Sequence, residues 1–93
     1  MNKYEILYIL EANLDEAAKD ALVEKFSALV TANGGEVESV NKWGNKRFAY
    51  EMDGKTEGYY VLMNFTANPD LPQEIERQMR ISDEVIRYMT VRK

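Results

Sequence analysis

One strand in this chain changes its buried face partway along, and that switch restricts the fold more than any other feature. Phe48, Tyr50 and Met52 alternate with Ala49 and Glu51, the period-two pattern of a half-buried strand, whereas Val37 and Trp43 upstream share the opposite parity. Successive side chains of a strand point to opposite faces, so the buried parity cannot change without a slip of one residue. Gly44 stands between the two parities and tolerates the backbone angles of a bulge or sharp bend. Residues 36–52 are therefore expected to form one long bent strand with Trp43, Lys46 and Arg47 at the bend. An aromatic ring flanked by cations on a kinked strand has the composition of a contact surface rather than of a reaction centre. The competing reading is a twisted hairpin arm whose Lys-Arg pair snorkels into solvent.

The remaining elements follow from periodicity and caps. Lys3 to Leu10 reads as a strand with Tyr4, Ile6, Tyr8 and Leu10 on one side and a mostly apolar second side, as in an inner strand. Asp15 is placed to cap a first helix, or Asn13 pairs with Glu16 in a capping box. Ala18, Ala21, Leu22, Phe26, Leu29 and Val30 then recur at helical spacing, with Lys19, Glu24 and Lys25 on the other face. Asn33-Gly34-Gly35 ends that helix. Residues 53–58 read as a turn, and Tyr59, Val61, Met63, Phe65 and Ala67 share one parity of a third strand. Asp70, with Gln73 three positions on, is expected to cap a second helix whose stripe is Leu71, Ile75 and Met79. Residues 84–91 close as a fourth strand with Val85, Met89 and Val91 on one face.

The order β-α-β-β-α-β, with right-handed crossovers, predicts an α+β, ferredoxin-like fold: a four-stranded antiparallel sheet with both helices on one face. Its expected core draws on Val37, Phe48 or Tyr50, Val61 or Met63, and Val85 or Met89. Ninety-three residues are enough for one such domain, residues 1–93, and no repeat, low-complexity segment or linker divides them. Neither a membrane-spanning run nor a secretory leader is visible.

Composition narrows the function. The chain has no cysteine and no histidine, which removes disulfides, thiolate metal sites, the commonest metal ligand and the usual acid–base group. There is no GxxxxGK[ST] loop and no carboxylate pair at catalytic spacing. No enzyme activity, cofactor or small-molecule substrate is expected. The net charge of −4, from 16 acidic and 12 basic residues, argues against tight independent binding to RNA, because phosphate neutralisation supplies most nonspecific affinity. The charge is unevenly spread, however. Residues 77–93 carry Arg77, Arg80, Arg87, Arg92 and Lys93 against Asp83 and Glu84, while the first helix region carries Glu11, Asp15, Glu16, Asp20 and Glu24 against Lys19 and Lys25.

At the bend, Gly44-x-Lys46-Arg47-x-Ala49-Tyr50-x-Met52 resembles the signature of the bacterial ribosomal protein S six family. Tyr4-Glu5-Ile6, Glu57-Gly58-Tyr59-Tyr60 and Arg80-Ile81-x-Asp83-x-Val85-x-Arg87 resemble the same family in the same order, so the likeness covers nearly the whole chain. Phe48 and Met52 stand where the family usually has smaller aliphatic residues, and Asn41-Lys42 stands where it often has acids. The resemblance implies a structural constituent of the small ribosomal subunit in the cytoplasm. It implies binding to the central domain of small-subunit rRNA together with a small basic protein, ribosomal protein S eighteen, as a heterodimer. The expected partner contact is Asn41, Lys42, Trp43, Lys46 and Arg47; the expected RNA contacts are Lys3, Arg80, Arg87, Arg92 and Lys93. One rival shares the fold: a single-strand RNA-binding domain with stacking aromatics on its first and third strands. Leu7-Tyr8-Ile9 and Gly58-Tyr59-Tyr60-Val61 partly fit it, but Val61 and Asn64 stand where that motif wants aromatics and Glu57 where it wants a cation.

Overall fold

Changes of register in the two outer strands decide which side chains the sheet buries. The structure, a computed structural model, describes residues 1–52 and 55–93, and the side chains of all of these except 48–52 and 55. Its elements run β1 (Asn2–Glu11), α1 (Glu16–Ala32), β2 (Glu36–Met52), β3 (Lys55–Ala67), α2 (Leu71–Arg80) and β4 (Val85–Arg92). The four strands form one sheet in the order β2-β3-β1-β4, and each neighbouring pair is antiparallel. This is the expected ferredoxin-like arrangement. The turn expected over 53–58 is shorter at its far end, since β3 already includes residues 55–58; Asp53 and Gly54 lie outside the described residues.

One face is covered by the helices. Tyr4, Ile6, Tyr8 and Leu10 of β1 and Tyr59, Val61, Met63, Phe65 and Ala67 of β3 meet Leu22, Val23, Phe26 and Val30 of α1 and Leu71, Ile75 and Met79 of α2. Tyr8 meets Phe26 edge-on at 5.3 Å, and Tyr4 stacks on Phe65 at 5.6 Å, both preferred aromatic geometries. Asp15 caps α1 as expected, its Oδ1 accepting from the Ala18 N–H at 2.7 Å. At the other end Gly34 takes φ +80°, and the N–H of Gly35 reaches back to the Val30 carbonyl. Asp70, by contrast, makes no side-chain cap bond: it is already helical, at φ −85° and ψ −15°, and not in the extended backbone of a capping residue.

Several expected side-chain positions are corrected. The α1 stripe is rotated: Ala21 is exposed, Val23 is buried, and Lys19 is buried with its Nζ 4.6 Å over the Tyr59 ring. A lysine stem covers apolar surface as well as an aliphatic chain does, and the tyrosine face receives its charge. In β4, Ile9 pairs with Arg87 but Leu10 pairs with Val85, so Ile86 is an extra residue. Val85 therefore packs on the core together with Tyr88, while Met89 and Val91 turn to the other face. In β2, Val37 pairs with Phe65 and Ser39 with Asn64, so Glu38 is an extra residue too. Val37 and Val40 thus both lean on the core, and Val37 and Trp43 do not share a face. The expected core contribution of Phe48 or Tyr50 falls outside the described side chains.

Two substitutions test this packing. Phe26→Ala should destabilise by roughly 3–5 kcal/mol through lost burial and a cavity, read as a lower denaturant midpoint. Tyr8 is buried with a hydroxyl that finds no hydrogen-bond partner among the described residues, and burial, with Tyr59 nearby, pushes its phenol well above the ordinary range. Tyr8→Phe should therefore leave the midpoint unchanged or raise it.

Candidate interaction surface

The other face of the sheet has no helix over it, and strand register maps it row by row. Gly44, Tyr60, Ile9 and Arg87 lie across the sheet in one row; Asn41, Leu62, Leu7 and Met89 form the next; Ser39, Asn64, Glu5 and Val91 the third. The first two rows make an apolar band. Ile9 is buried although no helix covers it, while Met89 is 59% and Trp43 46% exposed.

Trp43 joins the band because of the bend. Lys42 pairs with Val61 and Gly44 with Tyr60, leaving Trp43 as the inserted residue. Gly44 takes φ +87°, a left-handed conformation that residues with a Cβ rarely adopt. The expected bend at Gly44 is thus present, and Trp43 lies over the open face, stacked on Tyr60 with ring centroids 6.3 Å apart and an interplanar angle of 11°.

The expected partner residues are not all brought together. Asn41 and Lys46 have the parity of the open face, opposite Leu62 and Gly58, and Trp43 joins them there. Lys42 and Arg47 have the helix-side parity, opposite Val61 and Glu57. Lys42 Nζ donates to Asp20 Oδ1 of α1 at 2.8 Å, a bond that, with Asp20's charge, raises the lysine pKa. It straps β2 to α1 instead of reaching outward.

The expected RNA-contacting cations lie toward the opposite side of the sheet, since β2 and β4 are its two outer strands. Arg87 is on the open face, in the row of Ile9. Arg92 lies opposite Tyr4 and donates to Asn2 Oδ1 at 3.2 Å; Arg80, in the last turn of α2, donates through Nε to the Tyr88 hydroxyl at 3.4 Å. Lys3 and Lys93 sit at the far end of the open face, Lys3 within 3.9 Å of Glu38 and Lys93 within 3.6 Å of Glu5. Arg77, also in the basic stretch, is held by Glu74: two donors reach its carboxylate at 2.6 and 3.0 Å. Together with a bond from Gln78 they lower the Glu74 pKa to about 2.

Two tyrosines of the rival stacking platform are out of reach. Tyr8 is fully buried and Tyr59 nearly so, both beneath the helices, and no base can stack on either. Among the described side chains the exposed aromatic is instead Trp43 of β2, stacked on the half-buried Tyr60 of β3. Sequence reasoning missed the band itself: Leu7, Ile9 and Leu62 read as ordinary strand residues. The signal that could have found them was a β1 apolar on both sides with only two helices to cover the sheet.

Among the described residues no group of three acidic, histidine or cysteine side chains could hold a metal ion, and no helix is long and apolar enough to cross a membrane. A shallow groove between α1 and α2, lined by Lys25, Ala28, Leu29, Ala32 and Gln78, presents one cation and one amide and no nucleophile.

Comparison with known proteins agrees with this surface-centred picture. The profile of the family described as Ribosomal protein S6 matches residues 3–92. The small ribosomal subunit protein bS6 of Alkaliphilus metalliredigens is 48% identical over 92 residues, covering 99% of this chain and 97% of the relative. That of Clostridium novyi is 50% identical over 91 residues, covering 98% and 96%. The crystal structure of 30S ribosomal protein S6 from Thermotoga maritima superposes with a TM-score of 0.94 at 30% identity, covering 99% of this chain and 87% of that one. The chain belongs to the ribosomal protein S6 family, a structural, non-enzymatic constituent of the small ribosomal subunit, and its place is the ribosome in the cytoplasm.

Two tests follow from the geometry. Gly44→Val should destabilise by about 1–2 kcal/mol, the cost of a left-handed conformation in a residue with a Cβ, whereas Trp43→Ala should cost no more than about 1.5 kcal/mol; chemical denaturation separates them. Because the folded Glu74 pKa is depressed, its pairing with Arg77 supports α2 above the ordinary glutamate range and is lost as pH falls toward about 2. An NMR titration of the Glu74 carboxyl should place its midpoint near 2 in the wild type and nearer the ordinary value in Arg77→Gln.

Proposed function

We propose that this member of the ribosomal protein S6 family acts as one domain, binding the central domain of small-subunit rRNA as a heterodimer with the basic ribosomal protein S eighteen. The observation that carries the reading is the uncovered apolar band, with Trp43 46% exposed at its β2 end. A contiguous apolar area with polar residues at both ends is the composition of a protein interface, and a half-exposed tryptophan on a rigid strand is its natural anchor. On this reading Trp43, Asn41 and Lys46 meet the partner, and Lys42 and Arg47 serve mainly to brace the bent strand. The apolar rows extend the contact to Tyr60, Leu62 and Met89.

The RNA-facing side is the β1–β4 side, with Arg80, Arg87, Arg92, Lys3 and Lys93. With net charge −4 the chain lacks the excess of cations that holds nonspecific binders on RNA, and a basic partner supplies it. The acids of α1, Asp15, Glu16, Asp20 and Glu24, all exposed, then belong on the side away from phosphate.

Calorimetric titration against the basic partner tests the protein contact. Trp43→Ala should weaken binding by at least ~2 kcal/mol, and Lys46→Glu should weaken it more than Arg47→Glu. Since Trp43 is the chain's one tryptophan, its emission should shift when the partner binds. Filter binding to a central-domain transcript should show weak binding by the chain alone and a marked gain with partner. Equal affinity with and without partner would overturn the cooperative reading. Tight binding of short single strands by the chain alone, lost on Tyr60→Ala, would replace it with an open-face stacking site.

A further inference from the structure

Lys3 and Lys93, two of the five cations assigned to RNA, each face a carboxylate on the open face. A polar belt crosses all four strands at one end of the open face: Lys3 Nζ lies 3.9 Å from Glu38 Oε1, and that carboxylate accepts from the Thr66 hydroxyl at 2.7 Å. Lys93 Nζ lies 3.6 Å from Glu5 Oε2 and also donates to Asn64 Oδ1, while Asn64 Nδ2 donates to Ser39 Oγ at 3.1 Å. The terminal strands are closed by a backbone bond from the Lys93 N–H to the Lys3 carbonyl. The belt is thus built from β2, β3, β1 and the end of β4, and its two acids each face one lysine.

We propose that Glu5 and Glu38 are internal counter-ions that occupy Lys93 and Lys3 until rRNA phosphates displace them, an inference that rests on the RNA-binding reading above. Both lysine side chains are well exposed, 67% for Lys3 and 46% for Lys93, so a phosphate can reach them without any backbone movement. Exposed pairs of this kind are worth no more than about five-fold each in an equilibrium constant, small enough for a doubly fixed phosphate array to exchange them. The inserted residue at Glu38 makes the arrangement possible: it displaces Glu38 from the simple alternation of β2, and its carboxylate reaches Lys3 and Thr66 across β3. Part of the net charge of −4 therefore acts locally, lowering RNA affinity at the very cations that would supply it.

The test uses the full chain with saturating basic partner and a central-domain rRNA transcript, in filter binding across a range of salt. Glu5→Gln/Glu38→Gln should bind about 3- to 10-fold tighter at low salt, and its salt dependence should steepen by about one to two ions. Glu38→Gln keeps an acceptor for Thr66, and thermal melts check that the fold is retained. Lys3→Gln/Lys93→Gln should cost more affinity in the Glu→Gln background than in the wild type, a coupling that a general loss of negative charge would not produce. Tighter binding without that coupling would overturn the counter-ion role. So would unchanged binding of the Glu→Gln pair beside a clear loss in Arg80→Gln/Arg92→Gln, an outcome that leaves the RNA surface standing. Wild-type binding by the lysine and arginine variants alike would overturn the RNA surface itself.

Discussion

Everything on this molecule's surface depends on the parity of its sheet. With two helices on one side, four strands bury one set of alternate residues and leave the other set to water or to a neighbour. A single inserted residue moves every later side chain to the opposite face, at no cost in sequence composition. The insertions at Glu38 and Trp43 in β2 and at Ile86 in β4 do this, and β2 shifts register again between Arg47 and Met52; both strands are outer ones. The inner strands β1 and β3 keep an unbroken register of ten paired residues, from Asn2 with Ala67 to Glu11 with Gly58. The centre of the sheet supplies the fixed frame, and the margins decide which residues are presented.

The architecture was legible in the sequence because each element carries its own period and its own stop. The β3 parity, the α2 stripe, the Asp15 cap and the Gly44 bend all read directly, since each is a local pattern with a local cause. What was hidden lies in the insertions. Alternation alone cannot distinguish Val37 facing with Trp43 from Val37 facing with Val40, because the deciding residue, Glu38, looks like any solvent-facing acid. Met89 and Val91 read as sharing the face of Val85 for the same reason, with Ile86 concealing the switch. Lys19 was misplaced through its charge, when its stem and the Tyr59 face were what set its position.

The candidate site was legible in part. The bend motif pointed to Trp43, and the fold then gave that side chain a platform in Tyr60 that no sequence period announces. Lys42, four residues before Lys46 in sequence, reads as part of the same cluster; the strand sends it to Asp20 on the other side. Adjacent cations in sequence are separated by a whole sheet in space, which is why a charge run is a poor guide to a charged surface. The reverse also holds: Lys3 and Lys93, at opposite ends of the chain, come to lie on adjacent strands.

The same insertions bear on what β2 does when nothing covers it. As an outer strand of 17 residues it presents a long row of unpaired backbone groups, the usual template for strand-to-strand aggregation. Yet its pairing with β3 proceeds in short runs, Ser39–Lys42 and Gly44–Arg47, each of four residues and each ended by a change of register. A flat incoming strand that matches one run is out of step with the next. The bulge that lays Trp43 over the open face therefore also interrupts the edge as a template, and one backbone irregularity both presents a side chain and breaks up a pairing edge.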